Sequence, residues 1–139
     1  MGYYATQTDS HVVIDKCDFP KVIQAIHALA ETAERDGGGY SNGKKHYSWI
    51  GDAFDKIEDI EKLFQYWRWE AYFDYEGSIC DLNFSGEKLG DDEFLLSAIA
   101  PFVKDGSYIQ MAGEDNEIWR WKFANGQMKA IYPKIIWED

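Results

Sequence analysis

Residues 113–123 read GEDNEIWRWKF, and residues 66–73 read YWRWEAYF. In both, aromatic residues alternate with charged ones, and an extended chain sends successive side chains to opposite faces. The first stretch therefore places Trp119, Trp121 and Phe123 on one side of a strand and Arg120 and Lys122 on the other. The second places Trp67, Trp69, Ala71 and Phe73 opposite Arg68, Glu70 and Tyr72. Burying one tryptophan removes on the order of 200 Å² from water, a gain of several kcal/mol, so the indoles are assigned to the core. The bases are assigned to the outer sheet face, within reach of neighbouring acids. A base-stacking or sugar-stacking platform would need exposed rings, and a nucleic-acid platform would also need cationic surroundings.

Working outward, Asn125-Gly126 is the favoured pair for a two-residue hairpin turn, because both positions accept positive φ. SYIQMAG, EIWRWKF and QMKAIYP are thus expected as three consecutive strands. Upstream, strands are expected at about 68–74 and 79–85, joined by a tight turn at Tyr75-Glu76-Gly77-Ser78. The spacing of Phe19, Val22, Ile23, Ile26, Leu29, Ala30 and Ala33 predicts a helix capped by Asp18, with Pro20 in its first turn and its end at Gly37. A second helix is expected over about 54–66 and a third from an Asp91 N-cap to about Phe102, ending or kinking near Pro101. The opening YYATQTDSHVVI reads as a strand pair around Thr8-Asp9-Ser10, and GGGYSNGKKH as a mobile loop. Together these elements predict a single α+β domain over 1–139, with a mainly antiparallel sheet of about five to seven strands and about three helices packed on one face.

The chain carries a formal charge of −11, and residues 52–93 alone hold 13 acids against 4 bases. Such a surface repels phosphates, so direct nucleic-acid binding is disfavoured and charged partners are expected to be basic proteins. No apolar run approaches the roughly 20 residues that cross a bilayer, and MGYYATQTDS lacks the form of a secretory signal, so a cytoplasmic protein without membrane contact is expected. The two cysteines, Cys17 and Cys80, have no metal-ligand or redox spacing; no disulfide is expected, and the strand-centre thiol of Cys80 reads as a small core residue.

Catalytic signatures are weak. Gly38–Lys45 matches G-x-x-x-x-G-K, but Lys45 stands where a phosphate loop needs Ser or Thr, and the segment follows a helix instead of a strand. His11, His27 and His46 have no short metal spacing, and no local pattern supports a Cys-His nucleophile. Neither metal nor cofactor is expected. What remains is the anionic exterior: Asp55, Glu58, Asp59 and Glu61 on the second helix, Asp91, Asp92 and Glu93 at the third helix start, and Glu114 and Asp115 before the tryptophan strand. Were these, with the 74–76 turn, to share one face, they would offer a basic groove carboxylates in place of phosphates.

The segment NFSGEKLGDDEFLLSAIAPFVKDGSYIQMAGEDNEIWRWKFANGQ resembles a loosely defined group of small acidic bacterial and phage proteins. In that group a G-E-K-L-G-D segment, an I-A-P-[FY]-V helix end and a G-E-D-G-x-x-W-R-W-x-F hairpin recur. The likeness covers about residues 64–137 and departs at Asn116, where the group usually has glycine. The group has no settled activity. Its resemblance implies an accessory domain of phages and mobile elements, and by analogy a non-enzymatic inhibitor of host defence of the anti-CRISPR type that occupies a partner's nucleic-acid site. Two alternatives stand beside it: an immunity protein that neutralises a cationic nuclease toxin, and a small-ligand-binding or enzymatic domain built on the tryptophans and an acidic cleft.

Overall fold

A computed structural model describes residues 3–31, 40–41, 44–45 and 47–138. β1 (Tyr3–His11) leads through a 3-10 turn to α1 (Phe19–Ala28), which tightens into a 3-10 turn over Leu29–Glu31. The short strands β2 (Tyr40–Ser41) and β3 (Lys44–Lys45) precede a 3-10 turn (Asp52–Lys56) and α2 (Ile60–Tyr66). Next come β4 (Trp69–Phe73), β5 (Ile79–Phe84), β6 (Lys88–Leu89) and α3 (Asp92–Ile99), the last with a 3-10 extension over Ala100–Phe102. β7 (Tyr108–Gly113), β8 (Ile118–Ala124) and β9 (Gln127–Ile131) complete the chain. The fold is α+β: a five-stranded antiparallel sheet in the order β6-β1-β7-β8-β9, the hairpin β4-β5 and the small pair β2-β3.

The three carboxy-terminal strands follow the alternating pattern closely. Trp119, Trp121 and Phe123 are buried, Arg120 and Lys122 exposed, and Asn125 and Gly126 both take positive φ in the turn to β9. Trp69, Ala71, Leu82, Ile109 and Met111 extend the inner face, on which Val22 and Ile26 of α1, Leu63 and Phe64 of α2 and Leu95, Leu96 and Ile99 of α3 join one core cluster. The charges on the outer face are handled differently from the expectation. Arg120 donates to Gln110 Oε1 at 2.8 Å and lies 4.8 Å from the Tyr108 ring, so an amide and a π-face take the place of an acid.

Several local expectations are corrected. The amino-terminal segment is one strand, not a pair: a bulge at Thr8 absorbs the irregularity read as a turn, and β1 pairs with β7 on both sides of it. Asp18 makes no side-chain cap bond to α1; Asp15 caps the preceding 3-10 turn through the Cys17 N–H at 2.8 Å. The second helix breaks at Ile57–Asp59, where Asp59 caps a shorter α2 through the Lys62 N–H. Asp91 likewise makes no cap bond to α3. Within the region read as a loop, Tyr40 pairs with Lys45, whereas the expected helix end at 32–37 lies outside the described residues. Phe73, assigned to the core, is 37% exposed at the end of β4, where its ring meets Phe19 edge to face at 6.2 Å at the rim of the core. Cys80 is only half-buried, and both cysteines are free thiols.

β5 and β6 run along β1 as one interrupted strand, closed at one end by the Ile14–Ile79 bridge and at the other by Tyr3–Leu89. The gap between is stitched by a side chain acting as a surrogate peptide. Gln7 accepts from the Phe84 N–H at 2.7 Å and donates to the Leu82 carbonyl at 2.9 Å, while Ser10 donates to Asp81. Gln7→Ala should therefore destabilise the fold by about 1–3 kcal/mol in urea titrations, since two backbone groups lose their partners. Gln7→Glu, which keeps the acceptor but sets a carboxylate against the Leu82 carbonyl and near Asp81, should cost at least as much as alanine at neutral pH; equal stability of all three proteins would show that water replaces the stitch.

Candidate functional site

Nine acids were expected at an interface, and the structure divides them. Asp92 is 2% exposed and belongs to the interior: it accepts from Arg68 Nη2 at 2.9 Å, Trp69 Nε1 at 3.0 Å and the Gly90 N–H at 2.9 Å. It is withdrawn from the contact set, because a buried carboxylate already committed to three donors has no face left for a partner. Arg68 is corrected with it. Trp67 closes α2 and Arg68 takes φ 72 just beyond, so the WRW run starts two residues before the strand and the guanidinium turns inward. Its Nη1 donates to the Lys88 carbonyl at 2.6 Å, and its Nη2 makes the ion pair with Asp92.

The remaining acids fall into two groups. Glu58, Asp59 and Glu61 are exposed and Asp55 is half-buried; they lie by the carboxy-terminal part of α1, where His27 Nε2 meets the Ile57 carbonyl at 2.7 Å. The second group gathers around β6. Asp91 is half-buried and accepts from the Ser48 N–H, and exposed Glu93 is held by Trp121 Nε1 at 2.8 Å. Across the sheet, Glu114 accepts from the Tyr4 N–H, and Tyr3 Oη donates to Glu117 at 2.7 Å while accepting from the Asp115 N–H. The hydrogen bond to Glu117 raises the Tyr3 phenol above its ordinary pKa, so Tyr3 stays a donor into the alkaline range. Asn116 holds φ 66 in this turn, a left-handed conformation that asparagine tolerates nearly as well as glycine, so the departure from the group's pattern keeps the turn.

Glu87, which was not anticipated, and Glu117, the last acid of the 114–117 loop, complete this end. Glu87 shares a groove of about 310 Å³ with Tyr4 and Glu114, and exposed Glu117 anchors Tyr3. A second groove, of about 480 Å³, is lined by Asp91, Glu93, Phe94 and Trp121. Exposed carboxylates of Glu87, Glu93, Glu114, Asp115 and Glu117, with half-buried Asp91, thus surround the β6 edge. The 74–76 turn does not join them. It lies by Ile14 and Lys16, at the opposite end of β1, roughly 25–30 Å away for a nine-residue strand.

Beside the acidic end is a mixed groove of about 540 Å³, lined by Tyr4, Trp49, Arg68, Ser85, Gly86, Glu87 and Lys88. Trp49 is half-exposed with φ 70 and packs on Gly90, where any Cβ would come within 2.5 Å of the indole. Lys88 lies over the Tyr4 ring at 4.9 Å. Among the described residues no group of three or more His, Cys, Asp or Glu side chains is placed to hold a metal ion. Hydrogen bonding to Asp15 raises the Cys17 thiol above its ordinary pKa, the reverse of what a thiolate nucleophile needs. The side chains of Lys44, Lys45 and His46 lie outside the described residues. No helix is long and apolar enough to cross a membrane among the described residues. Compared with family models, curated proteins and solved structures, the chain matches none.

Proposed function

We propose that this protein is a non-enzymatic, acidic binding protein that engages a basic, nucleic-acid-binding protein and occupies the site its nucleic acid would take, in the manner of a phage anti-defence factor. The observation that carries this reading is the gathering of Glu87, Asp91, Glu93, Glu114, Asp115 and Glu117 around one sheet edge. Several of these carboxylates are tethered. Glu93 is fixed by an indole N–H, and Glu114 and Glu117 by the backbone and phenol of β1, so less side-chain entropy is lost when a partner binds. A preorganised anionic edge steers association with a cationic groove and discriminates by charge.

The test is capture of host proteins by the wild type, by Glu87→Lys/Glu114→Lys/Glu117→Lys, and by Glu58→Lys/Asp59→Lys/Glu61→Lys. The β6-edge variant should weaken the captured complex about 100-fold or more, at roughly 1 kcal/mol or more per coupled charge. The helix variant should change binding by less than about tenfold, and the complex should weaken steeply with salt. Nucleic acid should compete for the captured partner. A partner that binds this protein and nucleic acid at once would sink the reading, and capture of a cationic nuclease toxin would move it to the immunity class. The mixed groove beside Trp49 favours a second reading as a small-ligand domain, which a thermal shift with nucleotides would support.

A further inference from the structure

Among the described residues β9 is hydrogen-bonded on one side only, to β8, so its other edge offers free backbone donors and acceptors. The chain beyond it leaves the fold with its apolar side chains in water: Tyr132 is 68% exposed, Ile135 82%, Ile136 79% and Trp137 89%. At roughly 150–200 Å² each, these four side chains expose on the order of 500 Å², more than a soluble monomer usually leaves in one stretch. The same hairpin bears an unrelieved charge. Lys122 and Lys129 face each other directly across β8 and β9, a like-charged pair that opposes strand pairing. Among the described residues neither lysine forms an ion pair. A shallow groove of about 210 Å³ runs between them, over Ala124, Gln127 and Ile131.

We propose that β9 pairs antiparallel with β9 of a second copy of this chain, and that each copy lays its Tyr132–Glu138 segment across the other's Lys122–Lys129 groove. The geometry follows from the direction of the strands. Antiparallel pairing about Ala130 avoids setting Lys129 against its own copy and brings residue 133 of one copy beside Gln127 of the other, so the following residues pass the Asn125-Gly126 turn, next to the groove. Pro133 has no N–H and ends the ladder there, freeing the chain to turn onto the outer face. Ile135 and Ile136 then cover Ala124 and Ile131, and Glu138 reaches the facing lysines. The two segments and the two groove faces together bury on the order of 1,200 Å² or more, the lower bound of stable interfaces. The β6 edge lies at the far side of the sheet, so the acidic face stays open in the dimer.

Sedimentation of the full chain over about 1–500 µM tests this. The wild type should approach twice its 16.1 kDa mass as concentration rises. Ile135→Asp/Ile136→Asp, at positions exposed in the monomer, should keep the wild-type circular dichroism and weaken dimerisation at least about 30-fold, because burying a carboxylate opposes the contact. A charge exchange reads the pairing directly. Lys122→Glu/Lys129→Glu and Glu138→Lys/Asp139→Lys should each stay monomeric alone and form a heterodimer when mixed, since only the mixture matches every segment to a groove of opposite charge. A wild type that remains a monomer throughout, or a dimer unmoved by these variants, overturns the proposal.

Discussion

Replacing Asp92 with alanine is expected to cost about 3–5 kcal/mol of folding free energy and, for a chain of this size, to lower Tm by about 10–20 °C. Three donors point at this carboxylate, from Arg68, Trp69 and the Gly90 backbone. Arg68 has little else to turn to, since its Nε has no hydrogen-bond partner and its Nη1 is held by the Lys88 carbonyl. Alanine would leave a desolvated cation beside an unpaired indole N–H, which is why the penalty exceeds that of a surface ion pair. Arg68 also sits at φ 72, a conformation costing roughly 1–2 kcal/mol for a residue with a Cβ, so the ion pair offsets strain at the helix-to-strand joint. Urea titration provides the check. Asp92→Asn should lose about half as much as alanine, and Arg68→Met with Asp92→Leu should be more stable than Asp92→Ala alone, because the pair leaves together. A loss below about 1 kcal/mol for alanine would return Asp92 to the solvent-exposed acids.

The contrast between Asp92 and Glu93 shows what the chain made legible. Both are acids at the start of one helix, and nothing in their spacing tells the buried carboxylate from the exposed one. Only the turn of Arg68 out of the strand pattern, imposed by the end of α2, decides it. The β7-β8-β9 meander could be read in advance because period-two alternation and Asn125-Gly126 are local signals that tertiary packing reinforces. The bulge at Thr8 and the break at Ile57–Asp59 are compromises between local preference and the shape of the neighbouring surface, and short windows do not contain that shape. The site was legible only as a type of surface. An acid-rich chain presents carboxylates everywhere, so the grouping of Glu87 and Glu117 with Glu114 emerges only when β6 and the 114–117 turn meet at the start of β1.

Removing the indole of Trp69 or Trp121 is expected to cost about 3–5 kcal/mol in each case, a large part of the roughly 5–15 kcal/mol that holds a domain together. Trp69 is 0% and Trp121 1% exposed, and their rings meet edge to face at 6.2 Å, with Trp119 a further 5.7 Å from Trp121. Because the rings share one contact, the double variant should lose less than the sum of the two singles if the fold survives. Stability is only part of what Trp121 does. Its N–H fixes Glu93, so the residue that fills the core also sets the position of an acid at the candidate interface. Trp121→Phe separates these roles: phenylalanine keeps most of the buried area, with a loss of about 1–2 kcal/mol, while releasing Glu93 to solvent. Iodide quenching supplies an independent control, since the anion should reach Trp49 and Trp137 and leave Trp67, Trp69 and Trp121 untouched. If iodide quenched the emission of Trp69 and Trp121 as strongly as that of Trp137, the indoles would be a solvent-facing platform, and the core, the Arg68–Asp92 pair and the placement of Glu93 would all have to be reassigned.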